Sequence, residues 1–322
     1  MNRRCLLLSS VLVLGATLHG APPIADALKP GTRVLLDAHN CYPYDGQWPE
    51  RIERALGTGL PLAIEQDLAW SVDPKTGTGR SLVTHGAPFT GKEPSMRDYF
   101  FERIRPLVER ALRENHRDEW PVVTLNLDFK SDEAAHHEAV WALLGEYEAW
   151  LTTAPRTASA TDVAALTPGP VLVLTGEQDE QERDFYDRVP VGGKLRVFGA
   201  VHRTGPTPSL TRTNYRRWSN NPWSVVEPEG QPKAGAWTPE DAARLGAAVR
   251  DAHAAGLWIR FYTLDGFTPG DASSGWSASY NFGSIEAARE RWTAAIRAGV
   301  DYVAVDQYEE FARTLHSTPA QR

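Results

Sequence analysis

Residues suited to acid–base and metal chemistry recur where short apolar runs end in the first part of the chain. The first run, VLLDA, is followed by His39 and Asn40. The runs LAIEQDL, LVTHG and VVTLNLDFK carry or precede further reactive side chains, and these are Glu65, Asp67, His85, Asp128 and Lys130. Carboxylates are ligands for hard cations, and histidine exchanges protons near neutral pH. The set therefore has the parts of a metal-assisted acid–base centre.

Strand alternation puts the carboxylates on shared faces. Glu65 and Asp67 are two residues apart, and Asn126, Asp128 and Lys130 alternate in the later run. Alternate side chains of a strand point to the same face. Burying such charges is costly unless they are paired or bind a cation. Oxygen ligands suit one divalent cation, Mg²⁺ or Ca²⁺, and the alternative is a structural ion-pair network with a basic residue such as Lys130.

Two histidines supply the acid–base pair that phosphodiester cleavage needs. One group must activate a nucleophile and another must protonate the leaving alkoxide, and the candidates are His39 and His85. A cation and Lys130 would neutralise charge on the phosphoryl oxygens. Taken singly, His39 fits a core histidine bonded to backbone, and His85 fits an ordinary turn. The joint pattern favours the functional interpretation.

An alternation of strands and helices must position these residues. Seven short runs rich in Val, Ile and Leu predict strands buried in a parallel sheet, at Val34–Ala38, Leu62–Leu68, Val122–Phe129, Val171–Thr175, Leu195–Val201, Leu257–Leu264 and Tyr302–Val305. Helices are predicted between them, at Pro49–Leu56, Arg97–Arg113, Glu133–Thr152, Pro239–Ala255 and Ile285–Ala298.

Repeated strand–helix units of this number predict a single α/β domain, a (β/α)8 TIM barrel, with an eighth strand in Trp223–Glu227. A doubly wound open sheet is the rival fold. No G-x-G-x-x-G follows the first strand, which disfavours its dinucleotide-binding form. The region His202–Trp237 breaks the rhythm and predicts a long aromatic loop after the fifth strand. Barrel active sites lie at the C-terminal ends of the strands, where these polar residues fall.

Composition and the N-terminal segment restrict the partners and the location. The 322-residue chain has a formal net charge of −7 and no basic block, which argues against a nucleic-acid partner. A positive start, a short apolar stretch and small residues predict a secretory signal peptide over 1–27, with the barrel domain over 28–322. An uncleaved anchor is the alternative. The exported protein, periplasmic or extracellular, would keep Cys41 as its one cysteine and have no disulfide.

The order of the motifs resembles that of a known superfamily. H-N, E-x-D, H-G and D-x-K, in AHNCYP, AIEQDLAW, LVTHG and NLDFK, are similar to the phospholipase-C-like phosphodiesterases. These include glycerophosphodiester phosphodiesterases, sphingomyelinase D-like enzymes and phosphatidylinositol-specific phospholipases C. Within the superfamily, the motifs look most similar to the branch named for altered inheritance of mitochondria protein 6. The similarity runs from about Leu35 to Lys130 and is looser afterwards.

The resemblance implies a TIM-barrel hydrolase that cleaves a small phosphodiester or a phospholipid headgroup with one divalent cation. It implies these roles: His39 as base or nucleophile, His85 as general acid, Glu65, Asp67 and Asp128 as metal ligands, and Lys130 as a phosphate ligand. It implies no oligomeric state. The tryptophans of the aromatic loop are candidates for transient contact with a membrane surface or for a headgroup pocket, and packing onto the barrel is the alternative.

The sequence also departs from the superfamily pattern. Asn40 stands where glycerophosphodiesterases usually have arginine, and Asp128 follows the sphingomyelinase D-like pattern rather than the usual glutamate. A stretch with Arg260 and Tyr262 replaces the tryptophan of the seventh strand. These changes bear on the substrate more than on the chemistry. The predicted substrate-binding residues are Asn40, Lys130, Arg260, Tyr262 and, in the loop TNYRRW, Arg216.

Two other functions use the same residues. A secreted binding protein would hold a phosphorylated ligand on a degenerate barrel without turnover. A zinc hydrolase would use His39 and His85 as metal ligands. The histidine pair disfavours the first, because binding alone needs no acid–base pair. The carboxylate-rich set disfavours the second.

Overall fold

A closed barrel of eight parallel strands forms the centre of the molecule. The computed structural model describes residues 26–44, 47–204, 207–268 and 278–319. The barrel strands are β1 (Leu35–Ala38), β2 (Leu62–Val72), β3 (Val123–Phe129), β4 (Val171–Thr175), β5 (Phe198–Ala200), β6 (Arg216–Pro222), β7 (Trp258–Tyr262) and β8 (Tyr302–Val305). Each pairs in parallel with the next, and β1 closes the ring by pairing with both β2 and β8. The predicted (β/α)8 TIM barrel is confirmed.

Helices connect the strands and cover the barrel. They are α1 (Arg51–Gly57), α2 (Glu102–Glu114), α3 (Ala134–Glu146), α4 (Asp179–Glu182), α5 (Pro239–Ala254), α6 (Ile285–Ala298) and α7 (Tyr308–Ser317). Helix α5 begins at a capping box formed by Thr238 and Asp241, with Pro239 in its first turn. Helix α6 begins after Ser284 and ends at Gly299, whose φ of 80° closes the helix in the left-handed region.

Short strands and single helical turns lie between the barrel strands and the helices. A strand at Gly79–Val83 pairs antiparallel with the long β2 and carries the chain back to His85. Two-residue strands pair at Ala154–Pro155 with Lys194–Leu195 and at Arg203–Thr204 with Thr207–Pro208. Single helical turns of π or 3-10 type lie at Asp26–Leu28, Arg97–Phe101, Glu148–Trp150, Arg183–Asp187, Trp223–Val225, Gln231–Lys233 and Ala278–Tyr280.

The sixth strand corrects the sequence-based prediction. The apolar segment Trp223–Glu227 was the expected strand, but it begins with a 3-10 turn at Trp223–Val225. The strand is instead Arg216–Pro222, inside the region predicted to be a long aromatic loop. Its sequence, RRWSNNP, lacks an apolar run because its charged and amide groups are buried by hydrogen bonds rather than by apolar packing. The loop is therefore divided into two parts by a barrel strand.

The hydrophobic core runs from Leu28 to Phe311 as one cluster. Cys41 lies inside it, fully buried, and burial raises the pKa of its thiol to about 12. The predicted signal peptide, 1–27, lies outside the described residues except for its last two. Among the described helices, none is both long and apolar enough to cross a bilayer.

Candidate active site

A cavity of about 430 Å³ opens at the C-terminal ends of the barrel strands. Most of the predicted site residues line it, namely His39, Asn40, Glu65, His85, Asp128, Lys130, Arg260 and Tyr262. Asp67 lies buried beneath the rim beside Lys130 and Tyr42. The strand ends thus bring together residues that are more than 200 positions apart in the sequence, as the Arg260–Asp37 contact shows.

Three carboxylates converge beside this cavity. Glu65 and Asp67 point inward from β2, and Asp128 lies directly across from Asp67 in the register of β2 and β3. Each offers an oxygen within 4.8 Å of the others. Burial, together with the negative charge of Asp128, raises the pKa of Asp67 to about 8. Like charges at this separation require a positive partner.

Lys130 is the amine of this cluster. Its Nζ lies 3.0 Å from Oδ2 of Asp67 and 2.8 Å from Oδ2 of Asp128. Burial works against the charged amine, but these two carboxylates outweigh it and raise the pKa of Lys130. Lys130 therefore carries a positive charge at the edge of the cavity, and that charge is shared with the carboxylates.

Arg260, which lines the cavity, links three polar side chains by hydrogen bonds. It donates from Nε to Oδ2 of Asp37 and from Nη2 to Oε1 of Glu65 at 3.0 Å. Its Nη1 donates to Oδ1 of Asn220 at 3.1 Å. The guanidinium is 2% exposed and all three of its nitrogens are engaged by the protein. Arg260 was predicted to bind an anionic group of the substrate. In the structure, its three nitrogens instead donate to side chains of the protein.

Arg216 does not line the cavity. Its Nε donates to Glu182, its Nη1 to the carbonyls of Glu177 and Ala200, and its Nη2 to Asp179. These contacts clamp the start of β6 to the ends of β4 and β5. This placement departs from the predicted substrate contact, because the buried guanidinium satisfies the loop that follows β4.

The donor set fits a hard divalent cation. Four carboxyl groups, those of Asp37, Glu65, Asp67 and Asp128, lie around the two basic side chains Arg260 and Lys130, and Glu65 also lies beside the His39 ring. The converging ligand atoms of Glu65, Asp67 and Asp128 are all oxygens, as Mg²⁺ and Ca²⁺ prefer. Within the described part of the chain, no cluster of metal-ligating groups contains both His39 and His85, which disfavours the zinc alternative.

His39 is held between two carboxylates at the end of β1. Its Nδ1 lies 3.2 Å from Oδ2 of Asp306, and its Nε2 lies 3.5 Å from Oε2 of Glu65. Burial alone would lower the pKa of this imidazole, but the negative charges of Glu65 and Asp306 raise it to about 9. Asp306 also accepts from Arg51 at 3.2 Å, so its own position is fixed.

A second buried carboxyl supports Asp306. Asp265 accepts the backbone N–H of Asp306 at 2.8 Å. Burial and the charge of Asp306 raise the pKa of Asp265 well above its usual value.

Asn40 and Tyr42 connect the histidine to the carboxylate cluster. Asn40 has a φ of 49° and donates its backbone N–H to Oε2 of Glu65 at 3.1 Å. Its side chain lies 2.9 Å from Nδ1 of His39 and 2.9 Å from the hydroxyl of Tyr42. That buried hydroxyl donates to Oδ2 of Asp67 at 2.7 Å. Sequence reasoning gave no role to Tyr42, although it lies two residues after Asn40 in the motif AHNCYP, and none to Asp306, although it directly follows the last strand.

His85 occupies a different environment from His39. Its side chain is 59% exposed, and its Nε2 lies 4.0 Å from Oδ2 of Asp67. Burial of the ring and the positive charge of Lys130 lower its pKa. The two histidines thus stand in environments that move their pKa values in opposite directions, upward for His39 and downward for His85.

Comparisons with known proteins concern the fold. The sequence matches no protein-family model and no curated protein. Among similar solved structures is a glycerophosphoryl diester phosphodiesterase from Parabacteroides distasonis ATCC 8503, with 16% identity over 90% of this chain and 89% of that chain and a TM-score of 0.45.

Two further structures are similar at the same distant level. A glycerophosphodiester phosphodiesterase from Agrobacterium tumefaciens str. C58 has 13% identity, covers 88% of this chain and 99% of that chain, and gives a TM-score of 0.42. A 7,8-dihydropteroate synthase from Vibrio fischeri ES114 has 12% identity, covers 90% and 92%, and gives 0.33. These likenesses decide nothing about the reaction, which must be argued from the site.

Proposed function

We propose that the protein is a divalent-cation-dependent phosphodiesterase that cleaves a small phosphodiester or a phospholipid headgroup at the mouth of the barrel. The observation that carries this proposal is the carboxylate cluster. Glu65, Asp67 and Asp128 bring oxygens within 4.8 Å of one another beside a cavity that both His39 and His85 line. A hydrolase centre needs this combination, whereas a site for binding alone needs no pair of differently tuned histidines.

Glu65, Asp67 and Asp128 would hold Mg²⁺ or Ca²⁺, which as a Lewis acid stabilises the charge that develops on phosphoryl oxygens. Lys130 adds a second positive group on the same side of the cavity. Because Glu65 contributes to the raised pKa of His39, neutralising this carboxylate lowers the pKa of the imidazole toward the range in which it accepts a proton.

His39 would start the reaction. Asp306 holds Nδ1 of the ring, so Nε2 is the atom that accepts the proton of an attacking water or substrate hydroxyl. The oxygen that loses this proton forms the new bond to phosphorus. Direct attack by Nε2 on phosphorus is the variant of this step in which His39 is the nucleophile.

His85 would complete the reaction as the general acid. The bond from phosphorus to the leaving oxygen breaks, and the alkoxide takes the proton of the His85 imidazolium. A phosphodiester bound beside His85 carries a negative charge, which raises the pKa of the imidazole from its lowered value, so the ring takes up from solvent the proton that it passes to the alkoxide.

Substitution of the two histidines tests this division of labour. The His85→Ala variant is expected to lose 10²- to 10⁴-fold in the hydrolysis of alkyl phosphodiesters, because the alkoxide has no acid. It keeps most of its rate with bis(p-nitrophenyl) phosphate, whose leaving group needs no proton. The His39→Ala variant loses both activities. Phosphorus NMR of the products and release of nitrophenolate measure the two rates.

The control is His116→Ala, which removes an exposed histidine that does not line the cavity. Wild-type rates in both active-site variants would overturn the proposed function. An equal loss of the hydrolysis rate with both substrates in His85→Ala would show that His85 is not the general acid.

Membership of the branch named for altered inheritance of mitochondria protein 6, and export after cleavage of 1–27, stay predictions from the sequence.

A further inference from the structure

The part of the cavity formed by the ends of β3 to β7 is rich in neutral hydrogen-bonding groups. Three carboxamides line it, those of Asn126, Gln178 and Asn220, together with the phenol of Tyr262. We call these four residues the amide subsite. Glu65 and Asp128 of the carboxylate cluster line the same cavity, as does His85, so a ligand in the amide subsite is continuous with the proposed reaction centre.

Asn126 is the most informative member of the amide subsite. It is 5% exposed and lies opposite Glu65 in the register of β2 and β3, two residues before Asp128. Its side chain forms no hydrogen bond with any residue in the described part of the chain, although it lines the cavity. The carboxamide faces the cavity, and its donor and acceptor groups are not used by the described residues. A carboxamide held in this way next to the reaction centre indicates a ligand that binds it.

Asn220 and Gln178 add further donors. The carbonyl of Asn220 accepts from Arg260 at 3.1 Å, and its amide hydrogens have no acceptor among the described residues. Gln178 is exposed at the rim, and its side chain likewise makes no hydrogen bond within 26–44, 47–204, 207–268 and 278–319. The three amides can donate to and accept from hydroxyl groups without changing their charge.

The charged groups of this part of the cavity neutralise one another. The backbone N–H of Arg203 donates to Oε2 of Glu177 at 2.7 Å, and the guanidinium lies 3.6 Å from Oε1 of the same carboxylate. Arg260 is neutralised by Asp37 and Glu65. A charged headgroup therefore meets no uncompensated charge among these residues.

The aromatic group of the subsite is also unsuited to a cationic headgroup. The guanidinium carbon of Arg260 lies 5.5 Å from the ring centroid of Tyr262. A cation–π site attracts a quaternary ammonium through a free ring face. Here the ring already faces a cation, and a second cation would be repelled. The remaining capacity of the subsite is hydrogen bonding.

We propose that the amide subsite binds the alcohol part of the substrate and that this alcohol is an uncharged polyol. Several neighbouring hydroxyl groups would satisfy the carboxamides of Asn126 and Asn220 at once. As a statement about the substrate, the inference rests on the proposed phosphodiesterase function. As a statement about binding, it stands on the amide contacts alone.

The hydrolysis test compares headgroups that share one phosphodiester. The methyl phosphodiesters of myo-inositol, choline and ethanolamine, which contain no glycerol, are supplied to the metal-loaded wild-type protein, with bis(p-nitrophenyl) phosphate as a substrate without hydroxyls. We expect kcat/KM for the inositol diester to exceed that for the choline and ethanolamine diesters by at least 10-fold. In Asn126→Leu the ratio of inositol diester to nitrophenyl diester falls by at least 10-fold. Asn115→Gly, which removes an exposed carboxamide at a residue with a φ of 54°, keeps the ratio.

A binding test separates this inference from the proposed function. Saturation-transfer NMR measures the binding of free myo-inositol and of choline to the wild-type protein, Asn126→Leu and Asn220→Ala, after thermal melts have shown that each is folded. Binding of inositol that both variants weaken supports the subsite, even if no diester is hydrolysed and the proposed function fails. Hydrolysis with equal or better rates for choline, or an unchanged ratio in Asn126→Leu, overturns the subsite and leaves the phosphodiesterase standing.

Discussion

At the residue scale, the main feature of the site is a group of three carboxyl side chains that lie close together on two neighbouring strands. Asp67 and Asp128 are direct neighbours across two strands, and Glu65 lies within 4.8 Å of both. Like charges directly opposite one another destabilise a sheet. Lys130, Arg260 and the His39 ring lie beside these carboxyl groups. A divalent cation bound by their oxygens would relieve the repulsion between them.

The hydroxyl of Tyr42 gives the first prediction at this scale. It donates to Asp67 at 2.7 Å and fixes the orientation of this carboxylate. Tyr42→Phe is expected to weaken Ca²⁺ or Mg²⁺ binding about 10-fold, because loss of a hydrogen bond to a ligand typically costs 10- to 100-fold in affinity. Calorimetric titration of the metal-depleted protein measures it. Tyr44→Phe, which alters a tyrosine that lines the same cavity, is the comparison variant. Equal affinities in wild type and Tyr42→Phe would contradict the assignment.

Arg260 gives the second prediction. Its removal in Arg260→Gln leaves Asp37 and Glu65 without their cation inside the barrel, and burial already raises the pKa of Asp37. We expect the free energy of unfolding to fall by about 3–5 kcal/mol. Arg313→Gln breaks a surface pair with Glu310 and should change it by less than about 1 kcal/mol. Urea denaturation compares them, and a similar small loss in both would refute the structural role of Arg260.

The sequence predicts some of these residues and not others for a physical reason. Alternation within one strand is local, so the shared faces of Glu65 with Asp67 and of Asn126 with Asp128 follow from spacing alone. The partners of His39 and Arg260 do not. Asp306 is 267 residues from His39, and Asp37 is 223 residues from Arg260. Only closure of the barrel brings each pair together.

At the scale of elements, β6 shows where apolar patterning fails. Its residues Trp218 and Asn220 line the cavity, while Arg217 is buried by bonds to loop carbonyls and to Asn214. A strand that is built to present amides to a ligand and to clamp loops contains few apolar residues. In contrast, β1, β4 and β8 are buried along their whole length, so their apolar runs predict them well.

The packing of α3 against the strand Gly79–Val83 gives a prediction for pH. His136 of α3 lies 2.8 Å from the hydroxyl of Ser81 and stacks on Trp70. Burial lowers its pKa from 6.5 to about 4. The unfolded chain therefore binds more protons than the folded protein between these values, so stability falls as the pH is lowered from about 6.5 to 4.

Substitution isolates this contribution. His136→Gln should flatten the loss of stability over that window, which for one such group is on the order of 2 kcal/mol. His116→Gln, an exposed histidine, should keep the wild-type slope. Chemical denaturation at closely spaced pH values measures the slopes. Parallel curves for His136→Gln and wild type would contradict the lowered pKa.

For the whole molecule, closure of the barrel is what creates the site. Strand β1 pairs with β8 on one side and β2 on the other, so His39 stands between Asp306 and Glu65. The apolar core holds this ring of strands, and the polar residues sit only at its C-terminal end. The barrel architecture follows from the sequence pattern. The contacts around His39 depend on the register in which β1 pairs with β8 and with β2.

One measurement tests the central claim most directly: the rate of phosphodiester hydrolysis as a function of free Mg²⁺ or Ca²⁺, starting from protein depleted by chelation. We predict a rate near zero without the cation and a saturable rise with one ion bound per chain. Asp67→Asn and Asp128→Asn should lose the response, because each removes an oxygen ligand charge from the cluster. Undiminished hydrolysis in excess chelator, with wild-type rates in both variants, would contradict the account.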